Sequence, residues 1–174
     1  YEIASCLVGS EMCIRDRLEM MVKAVSLNGN FVLNFGPDGK GNIRSEETKL
    51  AKEIGDWMKI NKEAIYGTSH STVQKQDWGY FTQKGNKLYM CVFNRPINNL
   101  LKIEIPKGGI IPMKAYFLEN NQETEIQNAG KNKRNSSLYH VAVPASYKTD
   151  RPFVIVLEMQ ENTKEEGEYQ QAKI

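Results

Sequence analysis

Cysteine is scarce in this chain of 174 residues, which contains three, and long apolar runs are missing. Cys6 and Cys13 fall in an unusual N-terminal stretch, which leaves Cys91 for the rest of the chain. A single thiol forms no internal disulfide, so the redox compartment cannot be read from the cysteines. The apolar run Phe153–Leu157 is much shorter than the ~20 residues that a membrane-spanning helix needs. We therefore expect no membrane partner.

An excess of charge of one sign is also lacking, because 23 Lys and Arg residues are balanced by 21 Asp and Glu residues. A net charge of +2 gives no reason to expect nucleic acid as a partner. Hydrophobic residues make up 40% of the chain and charged residues 25%, which is typical of a globular protein rather than a disordered one.

The first 17 residues differ in character from the sequence that follows. Cys6–Arg17 reads CLVGSEMCIRDR, which resembles the conceptual translation of a transposase sequencing adapter. We therefore interpret residues 1–17 as a non-native segment and leave them out of the fold prediction.

Residues 18–68 alternate between helical and strand patterns. Apolar residues at helical spacing predict a helix over 18–28, which Asn28-Gly29 would end. The run Phe31–Phe35 is bounded by glycines and is typical of a strand buried on both faces of a parallel sheet. Ser45 is the predicted N-cap of a second helix that continues to Asn61. Helix, strand and helix in this order indicate part of an α/β fold.

Residues 69–159 carry short β-rich runs separated by turn residues. Alternation is clear in Leu101, Ile103 and Ile105, and this spacing predicts an antiparallel β-sandwich. The polar residues 160–174 are predicted to form a tail. The predicted strands are Tyr80–Gln83, Lys87–Asn94, Leu100–Ile105, Lys114–Glu119, Thr124–Gln127, Ser137–Val143 and Phe153–Glu158.

A specific resemblance runs through Asn28–Thr68, which reads NGNFVLNFGPDGKGNIRSEETKLAKEIGDWMKINKEAIYGT. It resembles the last strand and helix of the catalytic barrel of glycoside hydrolase family 29, the α-L-fucosidases. That family has a strand ending in NGN-L-L-L-N, a G-P-D-G-x-G loop, and a helix ending in a W-L-x-x-N-G-E-A-I-Y-G-T-like phrase. Lys62 departs from the pattern, because the family usually has glycine there. Trp78–Tyr89 similarly resembles the opening of the family's C-terminal sandwich.

The resemblance implies an α/β barrel remnant (helix-strand-helix) followed by an all-β antiparallel sandwich. The parent protein would hydrolyse terminal α-L-fucose from glycans by a retaining mechanism, with two carboxylates acting on the sugar. Both carboxylates would lie upstream in the barrel, so no catalytic residue is expected in this chain. No metal or organic cofactor is implied. A fucosylated glycan is the implied substrate, and a secreted or periplasmic location follows from the family.

The implied barrel would place four residues at its active-site face, because active sites lie at the C-terminal ends of barrel strands. The predicted edge of the sugar pocket is Asn34, Phe35, Gly36 and Pro37. The alternative is that Asn34 only holds neighbouring loops by hydrogen bonds.

Several other residues allow a functional interpretation, but a structural one is favoured. His70 and His140 lack the partners of a metal site, and Gly36–Glu47 lacks the side-chain oxygens of a calcium loop. Asp56 and Glu63 are predicted to be polar positions, on the amphipathic helix and just after it, rather than a carboxylate pair. Trp57 is a predicted core residue, and Trp78 is predicted to pack between domains rather than to stack on a sugar ring. Asn135-Ser136-Ser137 fits the N-glycosylation pattern.

Two alternative functions remain for the β-rich half of the chain. A carbohydrate-binding module would show a flat row of exposed aromatic side chains, for which Tyr80, Tyr89, Tyr116 and Tyr139 are available. A purely structural sandwich would instead brace the barrel, and this is the role we favour for residues 69–159.

Overall fold

A computed structural model of the chain describes residues 14–106 and 110–161. Cys6, Cys13 and most of the predicted tail lie outside these residues. Gln160, the first residue of that tail, belongs to the last strand of the fold. The adapter-like origin of residues 6–17 stays a prediction.

Two α-helices open the described chain: α1 covers Ile14–Ser26, and α2 covers Ser45–Asn61 and continues into a 3₁₀ turn over Lys62–Ala64. Helix α1 begins four residues before the predicted start at Leu18. Its first residue, Ile14, packs against the same apolar cluster as Leu18. The predicted N-cap of α2 was wrong. Arg44 occupies the cap position with extended backbone and no capping side-chain hydrogen bond, and Ser45 is the first helical residue. Neither helix is long and apolar enough to cross a membrane.

The predicted end of α1 at Asn28-Gly29 is confirmed by its hydrogen bonds. The Gly29 N–H donates to the Ala24 carbonyl at 2.8 Å, and the Asn28 N–H donates to the Val25 carbonyl at 2.9 Å. Asn28 adopts φ 57°, a left-handed conformation that asparagine tolerates better than most residues. This pair of bonds and this φ define a Schellman motif.

Residues 30–36, between the two helices, form no regular strand. A strand needs hydrogen-bonded neighbours, and no hydrogen bond joins the backbone of residues 30–35 to another described residue. The side chains still alternate as in a strand. Phe31, Leu33 and Phe35 are half-buried, whereas Val32 and Asn34 are exposed. The alternation indicates an extended segment in place of the predicted buried strand, and its backbone makes no hydrogen bond to another described residue.

In the part of the chain that the structure describes, eight strands form an antiparallel β-sandwich, as predicted. The order is β1-β2-β8-β4-β5 in a five-stranded sheet and β3-β7-β6 in a three-stranded sheet. The strands are β1 Gly79–Lys84, β2 Lys87–Val92, β3 Leu100–Ile105, β4 Ile110–Phe117, β5 Glu123–Thr124, β6 Ile126–Lys131, β7 Ser137–Ala142 and β8 Phe153–Glu161.

One predicted strand, Thr124–Gln127, is two strands in the structure. Strand β5 pairs with β4 in the five-stranded sheet, whereas β6 pairs with β7 in the three-stranded sheet. The chain passes from one sheet to the other at Glu125. The pattern of apolar residues could not reveal this crossing between sheets, because both strands are mostly polar and exposed.

The sandwich core lies between the two sheets and follows the predicted alternation. Ile103 is fully buried opposite Tyr139, and Leu101 is fully buried opposite Val141. From the five-stranded sheet, β2 and β8 contribute their inward residues: Leu88, Met90, Val92, Phe153, Ile155, Leu157 and Met159.

A second apolar core lies on the outer face of the five-stranded sheet, where α1 and α2 pack. Leu18, Val22 and Trp57 of the helices are buried there together with alternate residues of the sheet: Tyr80, Tyr89, Cys91, Tyr116, Val154 and Val156. Strands β2 and β8 are therefore buried on both faces, which explains why their sequences are almost continuously apolar. Burial raises the pKa of the Cys91 thiol to about 12.

Candidate functional site

The four residues predicted to edge a sugar pocket lie at the end of the extended segment between α1 and α2. Asn34 and Pro37 are exposed, and Phe35 and Gly36 are half-buried. The Asn34 side chain makes no hydrogen bond to another residue among those described. The alternative role for Asn34, tying down neighbouring loops, therefore has no support within residues 14–106 and 110–161. The pocket-edge role itself stays a prediction.

The loop that follows is built around the Asp38 carboxylate. Its Oδ1 accepts hydrogen bonds from the backbone N–H groups of Lys40 at 2.8 Å and Asn42 at 2.9 Å. Its Oδ2 accepts from Asn42 Nδ2 at 3.3 Å. These bonds lower the pKa of Asp38, with the Asn42 N–H as the largest cause and the Lys40 N–H next. The carboxylate is committed to shaping the loop, a role that the sequence prediction missed.

The same loop closes on itself through its backbone. The Asp38 N–H donates to the Asn42 carbonyl at 2.8 Å, and Pro37 and Ile43 form an isolated antiparallel bridge. Gly41 has φ 85°, a conformation that residues other than glycine adopt at a cost. Because its shape is set internally, the loop holds Gly36 and Pro37 in a defined position at the end of the extended segment.

The described residues do not bring together side chains that could bind a metal ion. Among residues 14–106 and 110–161, no cluster of three or more His, Cys, Asp or Glu residues is placed to hold an ion. His70 has another partner: its Nδ1 lies 2.8 Å from Asn28 Nδ2, and its backbone N–H donates to Asn28 Oδ1 at 2.8 Å. These contacts fasten the end of α1 to the chain that leads into the sandwich. No local pattern could have predicted this pair, because the two residues are 42 positions apart in the chain.

The two carboxylates that could be mistaken for a catalytic pair have separate partners. Asp56 forms an exposed ion pair with Lys59 at 2.7 Å, in agreement with its prediction as a polar helix position. Glu63 instead joins the helical unit to the sheet. Its Oε1 accepts from the Tyr89 hydroxyl at 2.7 Å and from Lys87 Nζ at 3.0 Å. These bonds, with that from Tyr89 the larger cause, lower the pKa of Glu63.

The structure contradicts the aromatic platform that a carbohydrate-binding module would need. Tyr80, Tyr89, Tyr116 and Tyr139 are all buried, the first three in the outer core and the last between the two sheets. Trp78 is also buried, and its indole N–H donates to the Lys102 carbonyl at 2.8 Å. It is a packing residue, but it packs in the core between the two sheets rather than between domains as predicted. None of these rings is available to stack on a sugar.

A shallow groove of about 320 Å³ lies between the end of α1 and strand β1. Its walls include Leu27, His70, Val73, Lys75 and Phe81. The groove contains none of the predicted pocket-edge residues, and most of its lining is apolar. It is therefore separate from the predicted edge of the sugar pocket.

Comparison with known proteins connects this arrangement to one family. The family model described as Alpha-L-fucosidase matches residues 12–63, which include α1, the extended segment, the Asp38 loop and α2. A bacterial fucosidase solved with an inhibitor is 36% identical, with a TM-score of 0.77, over 87% of this chain and 32% of that chain. Over most of its length, the chain is similar to part of the α-L-fucosidases.

Other fucosidases agree. The structure of a GH29 α-L-fucosidase from Bacteroides thetaiotaomicron, trapped as a covalent intermediate, is 36% identical with a TM-score of 0.76, over 85% of this chain. The α-L-fucosidase of Dictyostelium discoideum is 37% identical over 93 residues, which is 51% of this chain and 20% of that protein. Human tissue α-L-fucosidase is 35% identical over 91 residues. The chain spans about a fifth of the length of these curated fucosidases and about a third of the solved ones.

Proposed function

We propose that this chain supplies the last strand and helix of the catalytic barrel, and the accompanying β-sandwich, of a retaining exo-α-L-fucosidase. In this role the chain positions the edge of the fucose pocket and carries no catalytic carboxylate. The observation that supports it most strongly is the match of residues 12–63 to the fucosidase family, because these residues contain the extended segment and its G-P-D-G loop.

The barrel assignment fits the local geometry of the helical unit. In a β/α barrel each strand is followed by a helix, and the connecting loop lies at the catalytic face. Residues 30–36 are extended, the Asp38 loop follows, and α2 begins at Ser45. Asn34 through Pro37 would then border the sugar, with Asn34 exposed and free to donate hydrogen bonds to its hydroxyl groups.

The chemistry of the reaction would come from two carboxylates outside this chain. One would attack the anomeric carbon, and the other would protonate the leaving oxygen and then activate water. Asp38, Asp56 and Glu63 are unsuited to these roles, because each is engaged in the local contacts described above. We propose a fucosylated glycan as the substrate and a secreted or periplasmic location for the enzyme.

A structural role for the sandwich accompanies this proposal. The outer face of its five-stranded sheet buries one side of α1 and α2, so the sandwich fixes the position of the last barrel unit. The buried tyrosines argue against glycan binding by this face.

A chimera tests the proposed function. The matching third of the bacterial fucosidase would be replaced by residues 14–174 of this chain, and hydrolysis of an aryl α-L-fucoside would be measured. We expect the chimera to be active and this chain alone to show no turnover. A chimera that folds but binds no fucose-like inhibitor, or an isolated chain that hydrolyses the fucoside, would refute the proposal.

A further inference from the structure

We propose that Asn135 is a site of N-linked glycosylation, which receives an oligosaccharide when the chain enters a eukaryotic secretory compartment. The residue lies in the turn between strands β6 and β7, over residues 132–136. The inference rests on the secreted location in the proposed function, and it does not depend on the catalytic activity.

The first support is an acceptor pattern that occurs once in the sequence. Asn135 is followed by Ser136, which is not proline, and then by Ser137, whose hydroxyl completes the pattern. None of the other asparagines in the sequence has serine or threonine two positions later. The pattern therefore selects a single side chain for the modification.

The second support is the exposure of Asn135 and the absence of another role for its side chain. Lys133, Arg134 and Asn135 are all exposed in the turn. The Asn135 backbone N–H donates to the Asn132 carbonyl at 3.0 Å, but none of the described residues forms a hydrogen bond with the Asn135 side-chain amide. A glycan is bulky and hydrophilic, so it requires an exposed side chain that the fold does not use.

The shape of the turn is set by a different asparagine, Asn132. Its Oδ1 accepts hydrogen bonds from the backbone N–H groups of Arg134 at 2.9 Å and Ser136 at 3.0 Å. Its own N–H donates to the Ser136 carbonyl at 3.0 Å. Asn135 adopts φ 60°, a left-handed conformation that asparagine tolerates better than most residues. Because the Asn132 side chain stabilises the turn, a glycan on the Asn135 side chain breaks none of these bonds.

The third support is the position of the turn within the sandwich. The turn joins two strands of the three-stranded sheet, and the five-stranded sheet lies between that sheet and the two helices. Protein segments that pack on the helices would therefore contact the opposite layer of the fold and leave the turn exposed.

The fold also indicates when the transfer occurs. Ser137 is half-buried at the start of β7 and is paired with Ile105 of β3 and Lys131 of β6. The pairing with Ile105 joins residues far apart in the sequence, and such contacts form slowly because they close a long loop. We therefore expect the transferase to recognise the Ser137 hydroxyl while the chain enters the compartment, before β7 has paired with β3.

The reaction is a group transfer from an oligosaccharide attached to a lipid diphosphate. The side-chain nitrogen of Asn135 forms a bond to the anomeric carbon of the first sugar, and the bond between that carbon and the diphosphate oxygen breaks. The nitrogen gives up one proton to a base of the transferase, and the lipid diphosphate leaves with the electron pair.

Secretion of the full chain from mammalian cells tests the site. The chain would carry a cleavable secretion signal and, after its last residue, a short tag with a known acceptor asparagine. Molecules with a glycan on the tag have met the transferase, and Asn135 would be analysed in these molecules. Peptide mapping measures its occupancy, because enzymatic removal of a glycan converts the asparagine to aspartate. We expect most of these molecules to carry a glycan at Asn135.

Matched variants separate the acceptor pattern from the rest of the turn. Asn135→Gln removes the acceptor amide and Ser137→Ala removes the hydroxyl, so both should lose this glycan. Ser136→Ala keeps both groups and should stay glycosylated. The glycan should leave the melting temperature of the chain unchanged or raise it, because it is attached to an exposed side chain.

Three results would overturn the proposal: an unmodified Asn135 in molecules whose tag is glycosylated, a glycan that remains on Asn135 in Ser137→Ala, or a marked fall in melting temperature on glycosylation. Because the experiment supplies its own secretion signal, these results leave the proposed location and activity untouched. Failure of the proposed function is measured separately, by inactivity of the folded chimera, and does not alter the occupancy of Asn135.

Discussion

The indole Nε1 of Trp57 donates a hydrogen bond of 2.7 Å to the carbonyl oxygen of Pro152, 95 residues further along the chain. Trp57 lies on α2, and Pro152 immediately precedes β8, the central strand of the five-stranded sheet. The bond is buried and lies beside the outer apolar core. It therefore fixes the helix that follows the extended segment to the central strand of the five-stranded sheet.

Replacing Trp57 should show how strongly the helical unit depends on the sandwich. Trp57→Phe keeps an aromatic ring but leaves the Pro152 carbonyl without its donor, which should cost about 1–3 kcal/mol of unfolding free energy. Trp57→Ala also removes the packing and should cost about 3–5 kcal/mol. Urea denaturation would measure both. Ile60→Ala, at an exposed position on the same helix, serves as the control, and an equal loss there would contradict a specific anchor.

Gly79, the first residue of β1, leads to a prediction about stability. A Cβ on Gly79 would lie 2.0 Å from the Cys91 carbonyl oxygen, which belongs to the paired strand β2 and cannot move without disrupting the ladder. Gly79→Ala should therefore lower the melting temperature markedly or prevent folding. Gly55→Ala is the matched control, because its Cβ would meet nothing within 4 Å and it lies inside helix α2. That substitution should stabilise the protein by up to about 1 kcal/mol. Equal melting temperatures for the two variants would contradict the close approach.

The contact between Glu63 and Tyr89 leads to a prediction about pH. Because the folded protein lowers the pKa of Glu63 below its usual 4.5, the contact stabilises the fold fully above about pH 4.5. As the pH falls through the lowered pKa, the carboxylate takes up a proton and this stability is lost. Glu63→Gln should flatten the pH dependence of unfolding free energy below pH 4.5. Tyr89→Phe should flatten this pH dependence partly. The double variant should show nearly the same pH dependence as Glu63→Gln alone.

That experiment would measure coupling of about 0.5–1.5 kcal/mol near pH 7, the usual contribution of one hydrogen bond. Additive single effects would show that the two side chains act independently. An unchanged acid limb in Glu63→Gln would show that another group controls stability in this range.

The sandwich could be predicted from sequence because its inner residues alternate locally. Leu101, Ile103 and Ile105 point one way whatever the rest of the chain does, and Ile103 is indeed fully buried. The outer core could not be predicted in the same way. Tyr89 and Cys91 occupy the opposite face of β2, and their burial depends on two helices that lie far away in the sequence.

The helical unit shows the same division between local and distant causes. Asn28-Gly29 ends α1 through hydrogen bonds within six residues, so the local sequence was sufficient to predict where the helix ends. The strand predicted at Phe31–Phe35 depends on neighbouring strands, and none of the described residues pairs with it. The hydrogen bonds of Asp38 within its loop are also local. The sequence of the loop nevertheless looks like that of any turn, so these bonds are seen only once the structure places the N–H groups of Lys40 and Asn42.

Ile103 gives a direct test of the inner core. Ile103→Ala should cost about 2–5 kcal/mol, and Ile103→Val about 0.5–1.5 kcal/mol, because the first leaves a larger cavity at a fully buried position. Lys102→Ala, next to it and facing outward, should change stability little. Thermal unfolding followed by circular dichroism would measure all three. A loss with Lys102→Ala as large as with Ile103→Ala would reverse the assigned faces of β3.

The predicted pocket edge needs a test in which substrate is bound, and the chimera with the bacterial fucosidase provides it. Asn34 is exposed and makes no hydrogen bond to another described residue, so Asn34→Ala should leave stability almost unchanged. If its amide contacts the sugar, losing one hydrogen bond of about 0.5–1.5 kcal/mol should reduce kcat/KM roughly 2- to 13-fold. Lys133→Ala, on an exposed turn of the sandwich, is the control and should leave kcat/KM unchanged. If Asn34→Ala lowers the melting temperature while kcat/KM of the folded enzyme stays the same, Asn34 is a scaffold residue, and the edge of the pocket must lie elsewhere.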